Sequence, residues 1–274
     1  MASDSTSTSE VIWHYTTADG LYGILQSRAF FATATEYLND SQELTFGTSR
    51  LLAAASAIVK ELGGVTTEHG ELLGGWYLSA TLALRNSVPE HDAWIAPRTY
   101  TTSFSREGDL LSQWRAYGGE RGFAIGVDRK TLNSAAQEQV GAKLSDVKYG
   151  GTGDDVLADE VRKRLTGPDG EKDLSEASIA ELMEFVAQIK HAAFSEEKEV
   201  RLQLGNPEEE RIKARVRGDS FVTYVEVPFQ AAAVTHVRVG PGRTPNQIQA
   251  VTCMLNRLGY KDVEVSESAA PYRT

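Results

Sequence analysis

The stretch FSEEKEVRLQL, residues 194–204, carries the pattern on which the fold assignment depends. From Glu199 onward polar and apolar residues alternate, which is typical of a β-strand with two different faces. The apolar face is formed by Val200, Leu202 and Leu204, and the polar face by Glu199, Arg201 and Gln203. At about 3.4 Å rise per residue, Glu197 and Glu199 are expected to point the same way from an exposed strand edge, roughly 7 Å apart. In an acidic chain such a pair is most often a solvated strand edge, and the alternative is a pair of catalytic carboxylates.

The composition around this stretch limits the class of protein. The chain has 274 residues and a net charge of −10, which argues against unspecific binding to nucleic acid or acidic membranes. No apolar run approaches membrane-spanning length, and the polar N-terminus predicts a disordered lead over residues 1–10 of a cytoplasmic protein. The single cysteine, Cys253, excludes internal disulfides and multi-cysteine metal sites, and its apolar neighbours predict a buried thiol.

Periodicity and turn residues predict one α+β domain over residues 11–274. The segment RIKARVRGDSFVTYVEV, residues 211–227, predicts a hairpin that turns at Gly218 and Asp219. Helices are predicted at Glu43–Leu62 and Glu68–Arg85, in an insertion of about residues 41–90, and over residues 175–194. Further strands are predicted in VIWHYT, AFFATA, TYTTSFS, GFAIGVD, KLSDVKYG, VTHVRVG and DVEVS, and further helices in ADGLYGILQSR, LLSQWRAY and residues 247–258.

Other candidate residues are unspecific when each is taken singly. His14 is most often a hydrogen-bonded core histidine in such an apolar strand, and Ser103 and Ser105 alternate as in any half-exposed sheet. Tyr117 lies on a short helix, where an aromatic residue is more often core than ligand platform. The glycines at 118, 119 and 122 do not form a phosphate loop, and the five histidines show no metal-ligand spacing.

The order of the motifs is more informative, because it resembles the bacterial domain-of-unknown-function family 2971. The matching segments are WHYT (13–16), YLND (37–40) with Glu43, SFS (103–105), QWRAYGGERGFAIGVD (113–128), FSEEKEVR (194–201) and SESAAPYR (266–273). The family commonly has tryptophan where this chain has Phe194, which is a change in packing rather than in chemistry.

That family in turn resembles a divergent branch of the ADP-ribosyltransferase fold. WHYTTADGLYGIL is similar to the start of DarT-type enzymes, TTSFS to a serine-containing strand of toxin-like transferases, and EEKEVR to their E-x-E strand. The resemblance implies a split, mostly antiparallel β core, with the helical insertion beside it and the strands of His14, Ser103 and Glu199 around one cleft. It implies NAD as the substrate and neither metal nor another cofactor.

The resemblance also implies a role for each candidate residue. Glu199 would stabilise the oxocarbenium-like cation, and Glu197 would orient or deprotonate the acceptor. Binding of NAD would fall to His14, which bonds the adenosine ribose, and to five further residues: Tyr15, Thr16, Ser103, Ser105 and Tyr117.

Two classes of function follow from this interpretation. The first is a mono-ADP-ribosyltransferase, such as a toxin or phage-defence effector, with NAD glycohydrolase activity as its variant. The second is a catalytically inactive nucleotide-binding sensor or interaction module. The expected partners are NAD, a macromolecular acceptor that is protein or nucleic acid, and an antitoxin or defence-system protein, with no membrane.

Overall fold

The computed structural model describes residues 10–37, 99–118, 121–150, 159, 163, 184–185, 187–242 and 245–271. The strands are β1 (Val11–Thr16), β2 (Ala29–Ala34), β3 (Thr99–Ser105), β4 (Phe123–Asp128), β5 (Lys143–Asp146), β6 (Lys148–Gly150), β7 (Ile189–His191), β8 (Glu199–Gly205), β9 (Lys213–Arg217), β10 (Ser220–Pro228), β11 (Val234–Val239) and β12 (Glu264–Glu267). The helices are α1 (Ala18–Ser27), α2 (Leu111–Gln113), α3 (Arg129–Val140) and α4 (Gln247–Leu258). A π-helical segment, Trp114–Gly118, continues α2, and a 3₁₀ turn, Ala192–Glu197, precedes β8.

The α+β class and the largely antiparallel sheet are confirmed over these residues. Ten of the described strands form one sheet, in which β11 and β12 are the parallel pair, while β6 and β7 form a separate parallel pair. The predicted hairpin is confirmed, because β9 pairs with β10 around Gly218, whose φ of 60° suits glycine. The start of β8 at Glu199 is confirmed as well.

The sheet forks at β3, and this fork positions the candidate site. β8 pairs with β3 along its whole length, from Thr99 to Ser105, so the remaining strands must share the other edge of β3. β1 pairs there through Ser105, and β2 pairs through Thr101 and Tyr100. Between these contacts β1 and β2 diverge from the edge of β3. β3 therefore has β8 on one edge, and on its other edge it has β1 near Ser105 and β2 near Tyr100 and Thr101.

The hydrophobic core lies beside the fork and fixes the first helix. Helix α1 begins after Thr17, whose side chain accepts a hydrogen bond from the Gly20 N–H at 3.2 Å. Its buried residues, Leu21, Ile24 and Leu25, join the core formed by apolar side chains of both branches of the sheet. Burial of each leucine or isoleucine contributes about 1.5–3 kcal/mol. This packing holds β1 and β2 together through the helix that connects them.

Two predictions about the helices are wrong, and the predictions for residues 1–9 and for the insertion lie outside the described residues. The helix predicted over 175–194 does not continue through its last residues, because Ile189–His191 form β7 and pair with β6. Cys253 is exposed rather than buried, since the buried positions of α4, Val251 and Leu255, lie on another side of the helix. The helical insertion of about residues 41–90 lies outside the described residues and stays a prediction.

Candidate functional site

The carboxylate of Glu199 lies in a buried ionic cluster on the polar face of β8. Its Oε1 accepts a hydrogen bond from Arg201 Nε at 2.7 Å, and its Oε2 accepts from Arg201 Nη2 at 3.0 Å. The Lys190 ammonium donates to the same Oε2 at 3.3 Å. All three residues are almost fully excluded from solvent, with exposed fractions of 3–6%. The sequence prediction that this carboxylate stands exposed at a strand edge is therefore wrong.

Glu197 does not lie on the strand. It ends the 3₁₀ turn Ala192–Glu197, and the chain then turns through Lys198, whose φ is 44°. The Glu197 carboxylate nevertheless approaches that of Glu199, because its Oε2 accepts from the same Lys190 ammonium at 2.8 Å. The Glu197 side chain retains 16% exposure against 5% for Glu199. The pair thus consists of one buried and one partly accessible carboxylate that converge on a lysine.

The electrostatics of the cluster keep Glu199 ionised. Burial by itself raises its pKa, but the positive charges and hydrogen bonds of Arg201, with Lys190 and the Ser103 hydroxyl, hold the pKa below its usual value. The Tyr149 hydroxyl accepts a hydrogen bond from the Glu199 backbone N–H at 2.7 Å. Burial raises the pKa of Tyr149, so this hydroxyl stays protonated at neutral pH.

Sequence analysis missed Lys190, Arg201 and Tyr149 as members of the site. The signal for Arg201 was present, because residues two apart on a strand share a face and Arg201 therefore lies beside Glu199. Lys190 had a weaker signal, a lysine in a mainly apolar stretch, and a buried lysine is usually paired. For Tyr149 we find no local signal, since its contact depends on how β6 packs against the start of β8.

Ser103 and Ser105 lie on the same face of β3 as Glu199 and have different environments. Ser103 is partly exposed, unlike the other six residues of β3, and its register partner on β8 is Arg201, which binds the Glu199 carboxylate. Ser105 is buried, donates to the Glu197 backbone carbonyl at 2.7 Å and accepts from the Glu107 N–H at 3.1 Å. Ser105 therefore fixes the end of the turn that carries Glu197, while Ser103 keeps some exposure beside the ionic cluster.

His14 and Thr16 lie on the opposite face of the sheet from Glu199. Trp13, Ser105 and Glu199 are register partners across three strands, so their side chains share one face and His14 alternates to the other. The His14 ring packs edge-on against Phe30 at 5.4 Å between ring centroids. The register thus brings Ser103, Ser105 and the two carboxylates together, and it separates them from His14 and Thr16.

The His14 ring nevertheless contacts β3 at the fork. Its Nδ1 lies 2.9 Å from the Ser103 carbonyl oxygen, on the edge of β3 that β1 has left. Burial lowers the pKa of His14, so the ring is neutral and Nδ1 carries the proton that it donates to this carbonyl. The second ring nitrogen, Nε2, is then a hydrogen-bond acceptor, and the side chain retains some exposure.

Tyr15 and Tyr117, the two tyrosines predicted to bind NAD, lie in different environments. Tyr15 is buried edge-on against Trp114, with 4.7 Å between ring centroids, and its hydroxyl donates to the Glu107 carbonyl and accepts from the Leu110 N–H. Its hydrogen-bonding capacity is therefore used to hold the loop after β3. Tyr117, on the π-helical segment, has an exposed ring.

Asp109 ties the C-terminal segment to this loop. Its carboxylate accepts hydrogen bonds from Trp114 Nε1 at 2.8 Å, from the Ala269 N–H at 2.7 Å and from the Ser268 hydroxyl. These bonds hold the pKa of Asp109 below its usual value, although burial opposes them. Four of the motif segments singled out in the sequence, around residues 103, 114, 197 and 268, are thus connected through one loop.

Comparison with known families identifies part of the chain. Residues 113–202 match the family described as Protein of unknown function (DUF2971). The family predicted from the motifs is therefore confirmed over this segment, which includes the glutamate pair and the π-helical segment. The motifs at 13–16, 37–43, 103–105 and 266–273 lie outside the matched segment. No curated protein and no solved structure matches the chain.

The described residues contain neither a metal-ligand cluster nor a membrane-spanning helix. Across residues 10–37, 99–118 and the later described segments, no group of three or more histidine, cysteine, aspartate or glutamate side chains has a geometry suited to a metal ion. In the same part of the chain, no helix combines the length and apolar character needed to cross a membrane.

Proposed function

We propose that the protein is an NAD-dependent mono-ADP-ribosyltransferase. One observation carries the proposal: Ser103 meets both other motif strands, because its carbonyl lies 2.9 Å from His14 Nδ1 on β1 and its register partner on β8 is Arg201, which binds Glu199. The resemblance implies that the strands of His14, Ser103 and Glu199 lie side by side in a split antiparallel core. The fork at β3, where β1 and β2 leave one edge of the strand, supports the split core of the ADP-ribosyltransferase fold.

The chemistry of the pair fits this reaction. Cleavage of the nicotinamide–ribose bond develops positive charge on the ribose, and a fixed carboxylate nearby stabilises it. Glu199 is ionised, and two hydrogen bonds from Arg201 hold its carboxylate in place. Glu197 is the more accessible carboxylate, which suits a group that orients or deprotonates the acceptor.

The nucleotide-binding residues divide into those with accessible groups and those that act through others. His14 offers Nε2 as an acceptor for a ribose hydroxyl, and the ligand must reach it across the fork from the face of Ser103. Thr16 and Tyr117 are accessible enough to contact NAD directly. Tyr15 and Ser105 are buried with their hydroxyls engaged, so in this proposal they position the loop after β3 and the turn of Glu197.

A second candidate function is favoured by the charge balance of the site. Arg201 and Lys190 already offset the charge of Glu199, which reduces the field available to a developing cation. A nucleotide-binding module without turnover, which acts as a sensor or interaction partner, needs the forked sheet for binding but does not need an uncompensated carboxylate. NAD glycohydrolase activity is the variant of the first function in which water replaces the macromolecular acceptor, which is protein or nucleic acid.

Labelled NAD distinguishes these functions. The protein is incubated with NAD carrying one label on nicotinamide and one on adenosine, with and without cell lysate. A transferase releases nicotinamide and leaves the adenosine label on a macromolecule, whereas a glycohydrolase produces free ADP-ribose. Binding of NAD by calorimetry without release of nicotinamide supports the second candidate, and absence of both binding and release contradicts both functions.

Matched variants locate the activity in the site. Glu197→Gln should cut transfer by about a hundredfold while some hydrolysis remains, because water needs less orientation than a macromolecular acceptor. Glu196→Gln is the control, since Glu196 is exposed on the same turn. His14→Ala should weaken NAD binding, with Cys253→Ser on the exposed side of α4 as its control. Equal affinity of the His14 variant and wild type would remove His14 from the nucleotide site.

A further inference from the structure

The Lys190 ammonium is placed between the two carboxylates. Its Nζ lies 2.8 Å from Glu197 Oε2 and 3.3 Å from Glu199 Oε2, and its side chain is 4% exposed. The Phe194 ring lies 4.9 Å from the same ammonium, which adds a cation–π contact on the side of the turn. A lysine is buried to this extent almost only when it is paired, so the contact with the carboxylates accounts for its position.

The other charged and titratable groups around the pair have different partners. Arg201 contacts Glu199 through Nε and Nη2, and its Nη1 donates to the Ala187 carbonyl at 2.6 Å. The Tyr149 hydroxyl accepts the Glu199 backbone N–H. Lys198, between the two glutamates in sequence, is 53% exposed and pairs with Glu107. Of these described groups, Lys190 is the one with a bond to each carboxylate.

This arrangement has an electrostatic consequence. Two carboxylates that converge in a poorly solvated site repel each other, and one of them then retains a proton at a pH where a solvated glutamate would be ionised. Among the described residues that bond to the pair, the two cations Lys190 and Arg201 offset the charges of the two carboxylates. Removal of Lys190 takes away one of these positive charges, and Glu197 loses its 2.8 Å contact with the ammonium.

We infer that Lys190 is a positioning residue that holds the Glu197 carboxylate beside Glu199 and keeps the pair doubly ionised. Its importance for catalysis rests on the proposed function, whereas its coupling to Glu197 is a property of the folded protein that is measurable without NAD. Lys190 acts through the carboxylates and is not itself a catalytic residue.

A double-mutant cycle on the full chain tests the coupling. The variants are Lys190→Met, Glu197→Gln and the two combined, with Lys198→Met as the matched control, and urea unfolding is measured at pH 7. Lys190→Met should raise the unfolding equilibrium constant at least about a hundredfold, because it removes the cation from between two carboxylates that converge in a poorly solvated site. Lys198→Met should stay within about threefold of wild type.

The sign of the Glu197 effect decides the inference. Glu197→Gln should destabilise the wild type, but it should lower the unfolding constant of Lys190→Met by about tenfold, because it removes the repulsion. If Lys190→Met does not fold and the combined variant does, the inference is supported. If Glu197→Gln has the same effect in both backgrounds, or if the combined variant folds no better than Lys190→Met, the inference is wrong.

The pH profile of NAD turnover is a separate test, because a purely structural role of Lys190 would leave the position of its acid limb unchanged. In Lys190→Met the acid limb of the profile should lie at higher pH than in wild type, and in Lys198→Met it should not move. An unmoved acid limb in Lys190→Met contradicts the inference. If wild type does not turn NAD over at all, the proposed function fails, and the unfolding cycle still decides whether Lys190 couples to Glu197.

Discussion

Replacement of Glu199 by glutamine tests the buried cluster directly. The substitution keeps the shape of the side chain but removes the charge between Arg201 and Lys190, whose bonds to it measure 2.7–3.3 Å. The glutamine amide also carries N–H donors, which would face the N–H donors of Arg201 and Lys190. Removing one partner of a buried ion pair costs about 3–5 kcal/mol, and here Arg201 loses its bonds to a carboxylate while Lys190 keeps its contact with Glu197. The melting temperature of a domain of this size should fall by roughly 10 °C.

The pH dependence of the same variant provides a second measure. The pKa of Glu199 is lower in the folded protein than the value of 4.5 expected for a solvated glutamate. Its contribution to stability is therefore fully present above about pH 4.5 and is lost as the pH falls through the folded value. The difference in free energy of unfolding between wild type and Glu199→Gln should accordingly shrink below about pH 4.5.

Urea unfolding followed by circular dichroism from pH 3 to pH 8 is the assay, and two further variants make it specific. Glu196→Gln, exposed on the neighbouring turn, should change the free energy of unfolding by less than about 0.5 kcal/mol. Glu199→Gln combined with Arg201→Gln should be more stable than Glu199→Gln alone, since the guanidinium that has lost its bonds to the carboxylate is then absent. A Glu199→Gln protein as stable as the Glu196 control would refute the buried cluster.

Three further predictions concern residues around the fork. The pKa of His14 is lowered by burial, so wild type should lose stability as the pH falls below 6.5, by up to about 1.4 kcal/mol per pH unit, and His14→Gln should lack this loss in urea titrations. Asp109→Asn should lower the free energy of unfolding by about 1.5–3 kcal/mol and speed hydrogen exchange at the Ala269 amide. An unchanged exchange rate would contradict the hydrogen bond from this amide to the Asp109 carboxylate. Gly108→Ala should lower the free energy of unfolding by about 1–3 kcal/mol, because the added Cβ would lie 2.3 Å from Trp13 Cε2. If neither the tryptophan fluorescence nor the stability changes, Gly108 does not pack against Trp13 in this way.

The sequence by itself determined which elements form and which residues share a face. The alternation after Glu199 predicts β8 with its polar and apolar faces, and the Gly218 turn predicts the β9–β10 hairpin, because period and turn chemistry are local properties. The family resemblance also came from local motifs, and it is confirmed over residues 113–202. The placement of strands and turns along the chain therefore followed largely from nearest neighbours in sequence.

Only the tertiary structure decided what covers each face. Alternation shows that Glu199 and Arg201 point the same way, but it does not reveal that Lys190 and the segment around Ala187 lie over them. For the same reason the pair expected at an exposed edge is a buried cluster, in which Glu197 reaches its partner from a turn. Burial depends on contacts between elements that are distant in the chain, and a local pattern contains no information on them.

The register of the sheet likewise lay beyond the sequence. The motifs of His14 and Ser103 predict neighbouring strands, yet pairing Trp13 with Ser105 turns His14 to the face opposite Glu199, and a shift of one residue would reverse this. Register is set by the packing of both faces and by the fork at β3, where β1 and β2 share one edge. The sequence thus determined the residues available to the site, and the tertiary structure decided which of them meet.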